Sequence, residues 1–291
     1  FMYELEPSLQ DVYVEGAFDK DILTACFEHA GDRSRIVYTV DSVDIPFSVL
    51  EKYGLTEGNK QRVIALAREF EVLDGNSCKF LVDRDLDHWF EALYASQQLV
   101  WTRHCALELY FFTEDFLKRF LVNASKSKIG EWSIFIDGFC FFFIHVYDFR
   151  LADRELDLKL EWVELDKDLK LSNGLVVFNR ESFLNRVLNK NNMMRHKDGF
   201  NSNALIWFEK CLEDDQRLAM RGHDFVNLLA FVIKNGKGAT ALGSSEAIER
   251  TFVLLATSEL GIYSDLTISL IVNFVSHRFR YGDDLSLIAK L

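Results

Sequence analysis

Through residue 122 the chain alternates short β-branched runs with segments whose apolar residues recur at helical spacing. DVYVE at 11–15, RIVYTV at 35–40 and CKFLVD at 78–83 predict three strands, and LVWT at 99–102 predicts a fourth. Between them, 19–29 puts Ile22, Leu23, Cys26 and Phe27 on one helical face, with Asp19 as its N-cap. The segment 59–73 does the same with Val63, Leu66, Ala67 and Phe70, and 107–122 reads as another helix. Parallel strands need crossover connections, and helices usually supply them. The alternation therefore predicts an α/β fold: a parallel sheet with flanking helices.

The pattern changes after residue 123. Helical period dominates 132–151, and 156–178 reads as extended, with Leu158, Leu160 and Trp162 alternating. Helices return at 182–188, 204–217, 223–234, 245–259 and 266–274. ASKSKIGE at 124–131 is the best boundary. The expected organisation is a catalytic domain over 1–123 and a mainly helical C-terminal region over 124–291, used for dimerisation, substrate selection or partner docking. Only 2 prolines and as many as 26 phenylalanines fit long helices with large apolar faces to bury. The apolar stretch 134–149 falls short of the about 20 residues a membrane span needs. It also carries Asp137, His145 and Asp148, so a buried helix is expected.

The 5 cysteines are scattered, form no CxxC pair and mostly sit in apolar runs, which predicts reduced core residues. Early acidic residues and no apolar leader segment predict a cytoplasmic chain with no membrane association. A net charge of −12 argues against a general nucleic-acid coat protein, whose surface would be basic. It leaves open an enzyme that reaches a phosphodiester through metal ions, and equally an acidic subunit docked on a basic partner.

Two acidic clusters sit where strands end. Glu15 follows VYV, and Asp83, Asp85 and Asp87 follow KFLV. In an open α/β sheet the ligand site lies outside the carboxyl ends of the strands. Crowded carboxylates repel unless a cation neutralises them, and hard oxygen donors without paired His or Cys favour Mg²⁺ or Mn²⁺ over zinc. Spacing of two would set Asp83 and Asp85 on one face of an extended chain, with Asp87 continuing the series. Gly16 leaves room for a close approach by metal, phosphate or backbone. Glu15 is then the candidate general base or metal ligand, and Asp83 and Asp85 the candidate ligands of one or two ions. Two ions about 4 Å apart could clamp the attacking and leaving oxygens of an in-line displacement.

The pattern VEG-x-x-D at 14–19, followed by an apolar strand ending in DRD at 83–85, resembles the Toprim domain of topoisomerases, primases and the overcoming-lysogenization-defect (OLD) nucleases. The resemblance covers roughly 10–122. It implies that Glu15 is the general acid/base and that Asp83 and Asp85, with Glu15, hold Mg²⁺. A narrower resemblance lies in TRHCALELYFF at 102–112 and MRGHDFVNLL at 220–229. These segments look like the LE-x-Y and GHD elements of compact Toprim effectors, the AriB subunits of PARIS phage-defence systems. That likeness implies a toxic endoribonuclease acting on tRNA, held by an ABC-type ATPase subunit and active as a homodimer after release. Glu108 would be an extra acidic residue of the site, with His223 in support. No zinc ribbon and no assignable tyrosine nucleophile accompany the motif, which favours a hydrolytic nuclease over primase or topoisomerase chemistry.

Asp87 could instead cap the helix carrying Trp89 and Phe90, and His223 could cap its own helix. His104 has no partner visible in the sequence. Candidate phosphate contacts are Lys118, Arg119, Lys126 and Lys128; Lys190, Arg195, His196 and Lys197; and Arg217 and Arg221, all of which could also be ordinary solubilising charge. GKGATALG at 236–243 lacks the spacing of a nucleotide-binding loop. Two alternatives stay open: an OLD-like DNA-nicking nuclease, and a non-catalytic subunit whose acids dock an ATPase.

Overall fold

The computed structural model describes residues 10–72 and 78–258. Strand β1 (Val12–Val14) leads into helix α1 (Ala17–His29), then β2 (Val37–Thr39), α2 (Phe47–Lys52) and α3 (Asn59–Phe70). Strands β3 (Lys79–Val82) and β4 (Leu99–Trp101) complete one parallel sheet in the order β2-β1-β3-β4. The expected strands and the first two expected helices are all present. The short α2 is an addition, and the helix expected at 266–274 lies outside the described residues.

Each strand residue chooses a face by the two-residue period. Val12, Val14, Leu81 and Val100 point into one buried cluster, and Tyr13, Phe80, Val82 and Leu99 into another. Both faces of the sheet are thus covered, as expected for parallel strands. Helix α1 and the C-terminal helices cover the first face; α3 covers the second, with Tyr13 stacked between Tyr38 and Phe80 at 5.5 Å from each.

After β4 the chain does not form the single helix predicted over 107–122. A 3₁₀ turn (Leu107–Phe111) is followed by α4 (Glu114–Lys118), capped by the Thr113 hydroxyl on the Phe116 N–H, and then by a π-helical turn (Arg119–Ala124). The break puts Phe111, Phe116 and Phe120 around one ring, Phe252. Helix α5 (Trp132–Glu155) follows and buries five phenylalanines. It contains the whole apolar stretch 134–149, and among the described residues no helix is long and apolar enough to cross a membrane.

The region 156–178 is only partly extended. It ends in an antiparallel hairpin, β5 (Leu169–Ser172) and β6 (Leu175–Phe178), turned by Asn173 and Gly174, both at positive φ. An Asn-Gly pair is a strong hairpin signal for this backbone. Then come α6 (Arg180–Lys190), α7 (Lys197–Glu213), α8 (Gly222–Asn235) and α9 (Ser245–Leu255). Helix α7 lies along α5, and α9 packs on both α8 and α1. One continuous apolar cluster therefore runs from Val12 and Ile22 to Ile248 and Phe252, across residue 124. Four of the five cysteines, Cys26, Cys78, Cys105 and Cys211, are buried.

Candidate active site

From β1 the chain crosses to β2 on one side and returns to β3 on the other. The crevice at the carboxyl ends of β1 and β3 is therefore the topological switch point of the sheet. Glu15 follows β1 and Asp83 follows β3, and one Glu15 carboxylate oxygen accepts the Asp83 backbone N–H at 2.8 Å. Asp83 in turn accepts the Leu107 N–H at 3.1 Å, which ties the 3₁₀ turn of Glu108 to the strand end.

Three further carboxylates converge there. Asp19 is not the N-cap of α1: Gly16 holds that position, and the Asp19 carboxylate reaches back from the third helical residue to accept the Gly16 N–H at 3.0 Å. Glu108 lies against the start of α8, where a methyl group on Gly222 would overlap its carboxylate. Glycine at that position is what lets α8 close onto the site. Asp85 arrives by a different route from the one its spacing suggests. The chain is not extended past β3: Arg84 is helical, and Asp85 is left-handed at φ 44°, opening a 3₁₀ turn (Asp85–His88). A non-glycine residue in that region costs free energy and persists only where the surroundings hold it. Its N–H donates to the Cys105 carbonyl at 2.9 Å, and its own carbonyl accepts the Tyr147 hydroxyl at 2.8 Å.

The electrostatics report the crowding. Burial pushes Glu15 up to about 7, with the charges of Asp19 and Asp85 adding to it. Asp19 is raised to about 7 by burial and then by Glu108. Glu108 is raised to about 7 by burial and by Glu249, Asp85 and Glu15. Asp83 lies well above the ordinary carboxylate range, through burial and then Asp19, Glu15, Glu108 and Asp85. Glu249, on α9, had no sequence signal linking it to this site. The basic group that reaches the cluster is Lys60 of α3, 3.1 Å from Asp85 and 2.7 Å from Asp87; despite its burial, those two acids raise its pKa.

As the side chains stand, no group of three or more His, Cys, Asp or Glu among the described residues is placed to hold a metal ion. Lys60 is the cation on Asp85. The donor chemistry nevertheless suits a hard divalent ion: every group is a carboxylate oxygen, and each raises its neighbours' pKa. Glu15, Asp83, Asp85 and Glu108 are the residues that could share such an ion.

The other sequence candidates are spread more widely. Asp87 turns from the crevice to Lys60 and to Arg154, 2.8 Å away. His223 is exposed, whereas its neighbour Asp224 is buried and pairs with Arg150 at 3.4 Å. His104 is buried against Tyr110 and stays neutral, pushed down to about 3 by burial and by Arg217. Lys126 and Lys128 are exposed beside Gly236, at the opposite end of α8 from Gly222, roughly 20 Å away at 1.5 Å per residue. Arg195 is exposed on the turn before α7, and Lys197 pairs with Glu181 at 3.0 Å. Lys60, Tyr147, Gly222 and Glu249 are site residues that sequence reasoning missed. A cavity of about 640 Å³ lies between α5, α8 and the start of α9, and none of the crevice carboxylates lines it.

No family model matches the chain, and no curated protein matches its sequence.

Proposed function

We propose that the chain is a metal-dependent nuclease of the Toprim type, and that it acts as the toxic effector of an anti-phage defence system by cleaving tRNA. The observation that carries this reading is the convergence of Glu15, Asp19, Asp83, Asp85 and Glu108 at the β1/β3 switch point, with four of them raised in pKa. A general acid/base works best with a pKa near the working pH, and Glu15 at about 7 meets that condition. Glu15 takes or gives the proton, Asp83 and Asp85 hold Mg²⁺ or Mn²⁺ with Glu108 in reach, and Tyr147 fixes the Asp85 backbone. The metal, when bound, supplies charge stabilisation at the phosphoryl oxygens.

The sequence likeness to PARIS effectors supports the tRNA substrate, an ABC-type ATPase partner and a homodimer. The outer side of α7 exposes Leu205, Ile206 and Leu212, an apolar surface suited to a second copy or to the ATPase. A second reading, a non-catalytic subunit that docks a basic ATPase surface through its acids, is favoured by Lys60 already occupying Asp85.

Incubation with total tRNA, and separately with plasmid DNA, in Mg²⁺ or Mn²⁺ tests the proposal. Discrete tRNA fragments are expected from the wild type. Glu15→Gln is expected to lose about 10²–10⁴-fold in rate with its fold intact. Nicked plasmid in place of tRNA fragments would make the chain an OLD-like DNA nuclease, and undiminished cleavage by Glu15→Gln would remove Glu15 from the chemistry.

A further inference from the structure

A cavity of about 380 Å³ opens beside Asp85, and its walls carry the opposite charge balance from the crevice. Lys60 of α3, Arg150 and Arg154 of α5, and Arg221 just before α8 line it, against Asp85, Asp87 and Asp153. In a chain of net charge −12, four cations around one hollow stand out. Lys60 and Arg154 share Asp87, and Arg150 reaches Asp224. Arg221 differs from these three: among the described residues its side chain has no hydrogen-bond or ion-pair partner. The Nε of Arg150 is also buried without a hydrogen-bond partner. Burial and the nearby charge of Arg221 both disfavour the charged Arg150. Two like-charged guanidinium groups beside one hollow, one of them with its donors unmet, are relieved by an anion between them, and a planar guanidinium fork matches phosphate oxygens.

We propose that this cavity binds a phosphate group of the nucleic-acid strand whose neighbouring phosphodiester lies in the acidic crevice. Arg221 is its principal contact, and Arg150 adds positive charge beside it. Asp85 belongs to both hollows, which makes the two subsites contiguous. The choice of a nucleic-acid strand as ligand rests on the nuclease reading; the cavity's preference for phosphate does not. Acids face the crevice and cations face this cavity, so a strand laid across both has one register.

The test uses the full chain carrying Glu15→Gln, so that the strand is bound and not cut. Affinity for a labelled single-stranded RNA of twelve nucleotides is measured by fluorescence anisotropy across a salt series in Mn²⁺. Adding Arg221→Ala is expected to weaken binding about tenfold or more. It should also make the salt slope shallower by about 0.7, one phosphate's worth. Arg221→Lys should recover part of both, and Lys159→Ala, on a fully solvated loop, should change neither. Because the Arg221 side chain has no partner to lose, the thermal midpoint of Arg221→Ala should not fall. Equal affinity and slope with and without Arg221, or no binding by any of the chains, would overturn the proposal. Cleavage by the chain with Glu15 intact is scored separately. Arg221-dependent binding with no cleavage keeps the cavity and rejects the nuclease; Glu15-dependent cleavage with unchanged binding in Arg221→Ala does the reverse.

Discussion

The helical half and the sheet half of this protein bury carboxylates in opposite ways. Among the helices, each buried acid faces an arginine: Asp148 meets Arg180, Asp168 meets Arg186 and Asp224 meets Arg150. At the sheet ends, Glu15, Asp19, Asp83 and Glu108 crowd together beside Asp85 with Lys60 as the nearby base, and on top of burial neighbouring carboxylates push the pKa values of those four up. At Asp148, also raised by burial, His145 and Arg180 pull the other way. A paired buried carboxylate is a structural device whose partner came with the fold. A cluster left short of positive charge stores repulsion that an incoming cation can release. The difference separates the acids that hold the fold together from those available for chemistry.

Breaking a pair in the helical half should cost the most. Arg186→Ala leaves Asp168 buried without its guanidinium and should destabilise the protein by about 3 kcal/mol, read from denaturant melts. A loss below 1 kcal/mol would mean that this carboxylate is as tolerant of isolation as those of the crevice. The opposite sign is expected at the sheet ends. Asp83→Asn keeps an acceptor for the Leu107 N–H while removing the group whose ionisation burial and its neighbours oppose, so at pH 8 the metal-free chain should gain on the order of 1 kcal/mol and lose activity. A destabilised Asp83→Asn would show that the crevice is compensated after all.

A smaller effect follows from pH. Glu15, Asp19 and Glu108 have folded pKa values of about 7, above those of an unfolded chain. Between roughly pH 4 and 7 the native state therefore keeps protons that the unfolded state releases. Their stabilising contribution is full below that window and lost as pH rises through 7. His104, pushed down to about 3, acts the other way as pH falls below its unfolded pKa. The useful comparison is thus between chains. From pH 6 to pH 8 the metal-free wild type should lose more stability than Asp83→Asn does, and parallel slopes would argue against the coupling.

The scaffold was largely legible in the sequence because period governs it. Strands at 12–14, 37–39, 79–82 and 99–101, and a helix burying Ile22, Leu23, Cys26 and Phe27, follow from alternation and from i, i+3, i+4 spacing. Glu15, Asp83 and Asp85 were legible as strand-end acids and Glu108 through the resemblance, whereas Asp19 read as an N-cap, and the geometry of the cluster was not legible. Asp85 reaches the site through a left-handed residue pinned by Cys105 and Tyr147, contacts that exist only after folding. Glu108 sits on a 3₁₀ turn because the expected helix breaks before Thr113 to wrap phenylalanines around Phe252. Lys60 reads as one more polar residue at the start of an amphipathic helix. Gly222 reads as a helix start, whereas what it supplies is the space taken by the Glu108 carboxylate. The hairpin at 169–178 had a signal, Asn173-Gly174, that the general look of an extended region obscured.

The most direct test of the central idea, that the crevice is short of one divalent cation, is a thermal melt at pH 8 with and without Mn²⁺, on the wild type and on Asp83→Asn. A ligand of the native state raises the midpoint by mass action, by about 2.7 kcal/mol at one hundred times its dissociation constant. The account predicts a concentration-dependent rise for the wild type that is largely lost in Asp83→Asn. Identical midpoints for the wild type at every Mn²⁺ concentration would contradict it and leave the acids as a docking surface.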